Sequence, residues 1–551
     1  MKLFIVVLVA FTAAFGQDTS RVDRFFEQYF HFKPTDATVA GIHEYDAQLE
    51  NPYQETRAAE TAFLHQAERE FAAEPPSIDR DLLLTHIRGD LLELERIRMW
   101  EKNPDQYSSG LSNSTFVLIA RTFAPPEVRL RSVIARERLM PAVLDMARAN
   151  LKNPPRIYTE VAIEQMPGII SFFEHDVPDA FHAVSDADLL DEFHKSNGGV
   201  IEALRAYEKW LKNDLLPRSH GDFRLGAELY RRKLEYDEMV TTSLDDLLRV
   251  GYDNMRGNQR WFREVAAKVD PKKAPMEILA DLAHDHPTAG GLLDAFRNTL
   301  GGLHDFIQEH HIVTIPSDIR PIVEETPPFM RALTSASMDT PGPFEAVATE
   351  AFFNVTLPES SWPKQSAEEY LEGFNRGTLV STAAHEVYPG HYVQFLWVKQ
   401  APSKVRKLFG CGSNAEGWAH YSEQMMLDQG FGNGDPKIRL GQLQDALLRN
   451  ARYIVGIEMH TGKMTFDQAV DFFVKEGYQS RENAVRETKR GTSDPTYLVY
   501  TLGKMEIMRL REDYKKKTGA AYSLEDFHNA FLRQGYPPVP LVRRALLGGG
   551  Q

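Results

Sequence analysis

Residues 75–100 read PPSIDRDLLLTHIRGDLLELERIRMW. After Pro75-Pro76, Ser77 and Asp79 are placed to cap a helix, and Leu84, Ile87, Leu91 and Leu94 then recur three and four apart as one apolar stripe. From Leu82 to Trp100 only Gly89 interrupts the pattern, so a continuous helix is expected there. The same periodicity runs from about Arg21 to His311, and another helix should start near Ser243 and stop before Asp270-Pro271. Stripes of this kind read as core-facing helix surfaces rather than as functional motifs.

Working outward, the helical pattern fails between Ile315 and Pro343, where Pro316, Pro321, Pro327, Pro328, Pro341 and Pro343 interrupt any long helix. A short strand is expected at Phe352 to Leu357, stopped by Pro358, and helical patterns resume from Ala367. The expected class is therefore mainly α, with an N-terminal helical region over residues 17–330, a C-terminal helical region over residues 331–551, and a short edge strand or small sheet.

The chain has 551 residues, 42% of them hydrophobic, with 63 Lys and Arg against 78 Asp and Glu, a net charge of −15. That balance suits a globular protein and repels nucleic-acid phosphates. Met1 to Gly16 carry one charge, Lys2, then an apolar run from Leu3 to Phe15, as in a secretory signal peptide. The run falls short of the ~20 apolar residues that span a bilayer. A secreted or periplasmic protein with no stable membrane anchor is expected, and with Cys411 as the single cysteine it has no intramolecular disulfide.

The densest chemistry lies in His385-Glu386-Val387-Tyr388-Pro389-Gly390-His391. Zinc-hydrolase helices carry two histidines four apart on one face, with a glutamate beside the first. Here the spacing is six, which on a regular helix turns the second imidazole by about 240° and away from the first. Pro389 and Gly390 supply a means of breaking the helix and bringing His391 back beside His385. Downstream, Glu416, His420 and Glu423 fall at i, i+4 and i+7 on one helix face, and Glu416 is the preferred third ligand.

These segments resemble the proteins catalogued as domain-of-unknown-function 885, which look like relatives of the glutamate-ligand zinc peptidases. The resemblance rests on His385-Glu386 through Pro389-Gly390-His391 with Gln394; on Glu416-Gly417-Trp418-Ala419 with Tyr421 and Glu423; on Arg449 to His460; and on Tyr500-Thr501-Leu502-Gly503-Lys504 leading to Arg511. It extends to Pro537-Pro538 and Arg543, is specific over about Phe352 to Leu547, and is weaker from Arg21 onward. It departs at Gly456, where relatives carry an acidic residue; Glu458 is near but not equivalent.

The resemblance implies a helical enzyme with a deep cleft, His385, His391 and Glu416 on zinc, and Glu386 as general base. Tyr500 and His460 are then the candidates for stabilising a tetrahedral oxyanion, and Phe352 to Leu357 an edge strand for an extended peptide. The expected activity is zinc-dependent hydrolysis of peptide bonds in small or unfolded substrates. A zinc amidase acting on other amides and an inactive binding protein of the same fold are the alternatives. A thiol nucleophile at Cys411 with His420 as base is weighed against, because the flanking Gly410 and Gly412 read simply as a turn before a helix.

Overall fold

The structure, a computed structural model, describes residues 15–327, 330–331 and 334–548. The signal-peptide reading of residues 1–16 lies outside the described residues except for its last two, which open the helix Phe15–Phe32. The architecture is mainly helical, as the periodicity predicts, with one small sheet. Among the described residues no helix is long and apolar enough to cross a membrane.

The stretch from Pro75 to Trp100 forms its helix over Ile78–Leu92, and Ser77 accepts the Arg80 amide as its cap. Contrary to the expected continuous run, the chain widens into a π turn at Glu93–Ile97 and leaves the helix at Arg98, whose φ is 58°. Glu93 accepts the Met99 amide at that exit, a local side-chain alternative to the helical ladder. The second helix runs Leu244–Val269, capped by Ser243.

Three strands, β1 (Ile322–Glu325), β2 (Ala336–Asp339) and β3 (Phe352–Val355), form the sheet in the order β1-β3-β2. β3 pairs parallel to β1 (Ile322 with Phe352) and antiparallel to β2 (Ala336 with Val355). The edge-strand expectation for Phe352 to Leu357 is thus corrected: β3 is central, with both hydrogen-bonding edges occupied. Its residues Phe353, Asn354 and Val355 are buried in succession, the unalternating pattern of a strand covered on both faces.

Apolar cores draw residues from both sides of the Pro-rich stretch. One core joins Tyr230, Phe262 and Leu282 to Leu443, Tyr453 and Leu498. Another packs Phe25, Phe26 and Leu64 around Val405, Phe409 and Leu541.

Five C-terminal helices frame the site: α1 (Arg376–Glu386), α2 (His391–Val398), α3 (Gly412–Asp428), α4 (Pro436–His460) and α5 (Val499–Thr518). α3 and α5 meet backbone to backbone: a Cβ on Gly417 would fall 2.5 Å from Gly503 Cα, and one on Gly503 would fall 1.7 Å from the Ser413 carbonyl oxygen. Only glycine permits that approach. The first turn of α3 is capped from afar, because Cys411 makes no side-chain cap bond. Instead Glu238, buried at the end of the helix Gly226–Glu238, accepts the amides of Gly412 (3.1 Å) and Ser413 (2.8 Å).

Glu238→Ala should therefore lower the denaturant midpoint by an amount equivalent to about 1–3 kcal/mol, the cost of leaving buried amides unpaired. Urea unfolding followed by circular dichroism checks this; an unshifted midpoint would show that the cap contributes nothing.

Candidate metal centre

Asn375 starts α1 by accepting the amides of Gly377 and Thr378, which aims the last turn, with His385, into the protein. The helix ends at Glu386; Val387 leaves helical geometry and the Tyr388–Pro389 peptide is cis. Gly390 then passes so close to the preceding turn that a Cβ there would lie 1.7 Å from the His385 carbonyl oxygen. α2 restarts at His391, and the two imidazoles end 4.9 Å apart, centroid to centroid, and nearly perpendicular. The break at Pro389-Gly390 thus removes the 240° mismatch of the six-residue spacing. Trp418 of α3 secures the loop by donating its indole N–H to the Pro389 carbonyl at 2.8 Å.

Glu416 completes the cluster. Its Oε2 lies 3.3 Å from Nε2 of His385 and 3.3 Å from Nε2 of His391, and the ligating atoms of the three residues all fall within 4.8 Å of one another. That oxygen is buried without a hydrogen-bond partner in the protein. Ligands about 2.0–2.1 Å from a tetrahedral zinc lie about 3.3–3.4 Å from each other, so the observed spacing and the unpartnered oxygen both fit a metal held among these three residues. The cluster is recessed: side-chain exposure is 7% for His385, 12% for His391 and 27% for Glu416.

Behind the cluster, Glu423 accepts Nδ1–H of His385 at 2.7 Å and Nδ1–H of His420 at 3.0 Å, and forms an ion pair with Arg449, whose Nη2 lies 2.9 Å from its Oε1. Because Glu423 is an acceptor only, His385 holds a proton on Nδ1, and Nε2 is the nitrogen turned toward Glu416. Although burial opposes it, Arg449 and His420 hold the Glu423 carboxyl well below the usual range. Burial and Lys504 push His420 down to about 3, so its ring is neutral. Against burial and the charge of Arg449, Glu416 and Glu423 lift His385 to about 9 while no cation competes for Nε2.

Glu386 is half-buried beside the cluster. Burial pushes its carboxyl up, partly offset by His385 and His391, which suits a proton acceptor. Tyr500, near the start of α5, stacks on His385 with centroids 6.1 Å apart. Its hydroxyl accepts a hydrogen bond from Nη2 of Arg490 at 3.0 Å, and burial pushes it up to about 12, with Glu416 adding to the rise. It therefore keeps a proton to donate.

His460 is not brought to this cluster. It closes α4, eleven residues and about 16 Å along the helix from Arg449. There its Nε2–H donates to the Gly491 carbonyl at 2.7 Å, its ring packs beside Phe223 and Tyr230, and burial pushes it down to about 4. Neither does Glu458 join the site; it accepts the Tyr252 hydroxyl. At Gly456 a Cβ would lie 2.9 Å from the Pro495 carbonyl oxygen, so packing explains glycine there. Cys411 is buried at the head of α3, its thiol pushed well up by burial and by Glu238, the opposite of an activated nucleophile.

Arg449 is the principal residue that the motif reading left without a role. A signal was present: the run Ala446 to His460 is rich in apolar residues, and a buried helix that carries Arg449 and Arg452 must pair them. Arg452 donates through Nε and Nη2 to Glu487, and Arg449 spends its charge on Glu423.

The chain is similar to a protein from Shewanella oneidensis described as a lipoprotein of unknown function, at 28% identity and a TM-score of 0.78, covering 95% of this chain and 98% of that one. A second structure, of a protein from Colwellia psychrerythraea described as a lipoprotein, shares the fold at 18% identity and a TM-score of 0.80, covering 96% and 98%. No curated protein matches. The family model described as "Bacterial protein of unknown function (DUF885)" matches residues 34–546, nearly the whole length, and the chain belongs to that family.

Proposed function

We propose that the protein is an exported zinc-dependent hydrolase of amide bonds, acting on small or unfolded peptides. The observation that carries this reading is the convergence of His385, His391 and Glu416, with the Glu416 oxygen 3.3 Å from each imidazole Nε2 and all ligand atoms within 4.8 Å, beside a Glu386 that stands outside that group. A site that served only to stabilise the fold would need no free carboxylate there. Bound zinc would supply a Lewis acid that polarises the amide carbonyl and acidifies water.

The chain's residues do the rest. Glu386 takes a proton from the attacking water as the new C–O bond forms, and returns it to the amine nitrogen as the C–N bond breaks. The Tyr500 hydroxyl donates to the oxygen that gains charge, and the Arg490 hydrogen bond to that hydroxyl favours the donation. Glu423 fixes the tautomer and orientation of His385. Export agrees with the apolar N-terminus and with the description of both structural relatives as lipoproteins. The net charge of −15 turns nucleic acid away.

Elemental mass spectrometry of the purified protein should find one zinc per chain, and His385→Ala and Glu416→Ala should each lose it. Glu386→Gln should keep the metal while cleavage of a quenched-peptide library falls about 10²–10⁴-fold. Zinc retained in both ligand variants would overturn the site, and undiminished turnover in Glu386→Gln would overturn the base. Zinc without peptide cleavage would favour an amidase or a binding protein instead.

Two neighbours give separate readouts. Glu423→Gln should weaken zinc binding about 10–100-fold in chelator competition. Tyr500→Phe should hold zinc normally and lower kcat about 10²–10³-fold; unaltered kinetics would remove Tyr500 from the chemistry.

A further inference from the structure

Three guanidinium groups surround the ring of Tyr500, with Arg452 5.0 Å, Arg449 5.7 Å and Arg490 5.9 Å from its centroid. In a chain that carries a net charge of −15, such a concentration beside one tyrosine needs a reason. Two of the three are committed: Arg449 and Arg452 are each about 10% exposed and spend their charge on the buried carboxylates of Glu423 and Glu487.

Arg490 differs from both. Its side chain is 34% exposed. Nε and Nη2 share a single oxygen, Oδ2 of Asp494, at 3.2 and 3.1 Å, and Nη2 also donates to the Tyr500 hydroxyl. Nη1 makes no hydrogen bond with the described residues. A half-exposed pair four residues apart contributes little to stability, so Arg490 has charge and donors to offer something else. The place is fixed by Tyr500, whose hydroxyl touches Arg490 on one side and whose ring lies against His385 on the other.

Resting on the hydrolase reading above, we propose that Arg490 receives the free carboxylate at the C-terminal end of the substrate, so that the centre removes one residue at a time from that end. In a peptide whose last amide is cleaved, the terminal carboxylate carbon is three bonds from the scissile carbonyl carbon, within about 3.7 Å by standard bond lengths. If Tyr500 donates to the oxygen of that carbonyl, a guanidinium 3.0 Å from the Tyr500 hydroxyl lies within reach of the carboxylate. An internal peptide bond offers a neutral amide at the same position, which cannot form the paired, charge-assisted bonds that a carboxylate forms with arginine. The products are then a shortened peptide with a new carboxylate and a free amino acid, with water as the only co-reactant.

The test uses the zinc-loaded full chain and two N-acylated tripeptides of one sequence, one a free acid and the other a C-terminal amide. The free acid should lose only its last residue, with kcat/KM about 100-fold above the amide, the ratio of a charge-assisted to a lost bidentate pair. Arg490→Met should bring that ratio to near one, and Arg490→Lys should restore part of it. Equal cleavage of both peptides, or cleavage at internal bonds, would overturn the proposal while leaving the hydrolase reading intact.

If neither peptide is cleaved, the hydrolase reading fails, and calorimetry of the zinc-loaded Glu386→Gln protein decides the carboxylate site by itself. Tighter binding of the free acid, lost when Arg490→Met is added, supports the site. Equal affinity for acid and amide overturns it.

Discussion

Glu423 is the interaction on which the site depends. Its side chain has no exposed surface, and in that position it joins three helices: α1 through His385, its own helix α3 through His420, and α4 through Arg449. A carboxylate taken out of water is tolerated only when its lone pairs are filled and its charge is met. Glu423 meets that requirement with two imidazole N–H groups and a guanidinium. Loss of the carboxylate would release the His385 ring and leave Arg449 buried without its counter-charge, which commonly costs about 3–5 kcal/mol.

From this anchor the three carboxylates of the centre take different roles. Glu423 accepts two imidazole N–H groups, faces the charge of Arg449 and stays ionised. Glu416, equally close to two imidazoles, has one oxygen with no hydrogen-bond partner. Glu386 meets burial first and positive charge second, and its affinity for a proton rises. Environment alone thus pushes three like groups apart in proton affinity within one site.

Much of this was legible in the sequence. The helical class followed from stripes such as Leu84, Ile87, Leu91 and Leu94, and the family from the motifs around His385, Glu416 and Tyr500. The six-residue histidine spacing, which argues against a shared site on a regular helix, pointed instead to the break that Pro389 and Gly390 make. What stayed hidden was pairing across long separations. Nothing local in Glu238 tells that it caps a helix 174 residues away. A run such as Phe352 to Val355 reads as a strand, but whether it lies at the edge or the centre is set by β1 and β2, which flank it only in space. His460 looked eligible by residue type, and only the length of α4 removes it. The shared cores were hidden for a related reason: prolines mark where helices stop, not which helices pack together.

The contact of Gly417 with Gly503 has a consequence for how such a site can evolve. Because α3 and α5 touch through backbone atoms, the offset between Glu416 and Tyr500 is set by main-chain thickness and not by the volume of any side chain. Core residues elsewhere can drift and repack without altering that offset, whereas a single methyl group at either glycine would wedge the two helices apart. The segment after Gly491 is held differently, by the hydroxyls of Tyr158 and Tyr230 on the carbonyls of Thr492 and Pro495, so there a change of side chain can move the backbone.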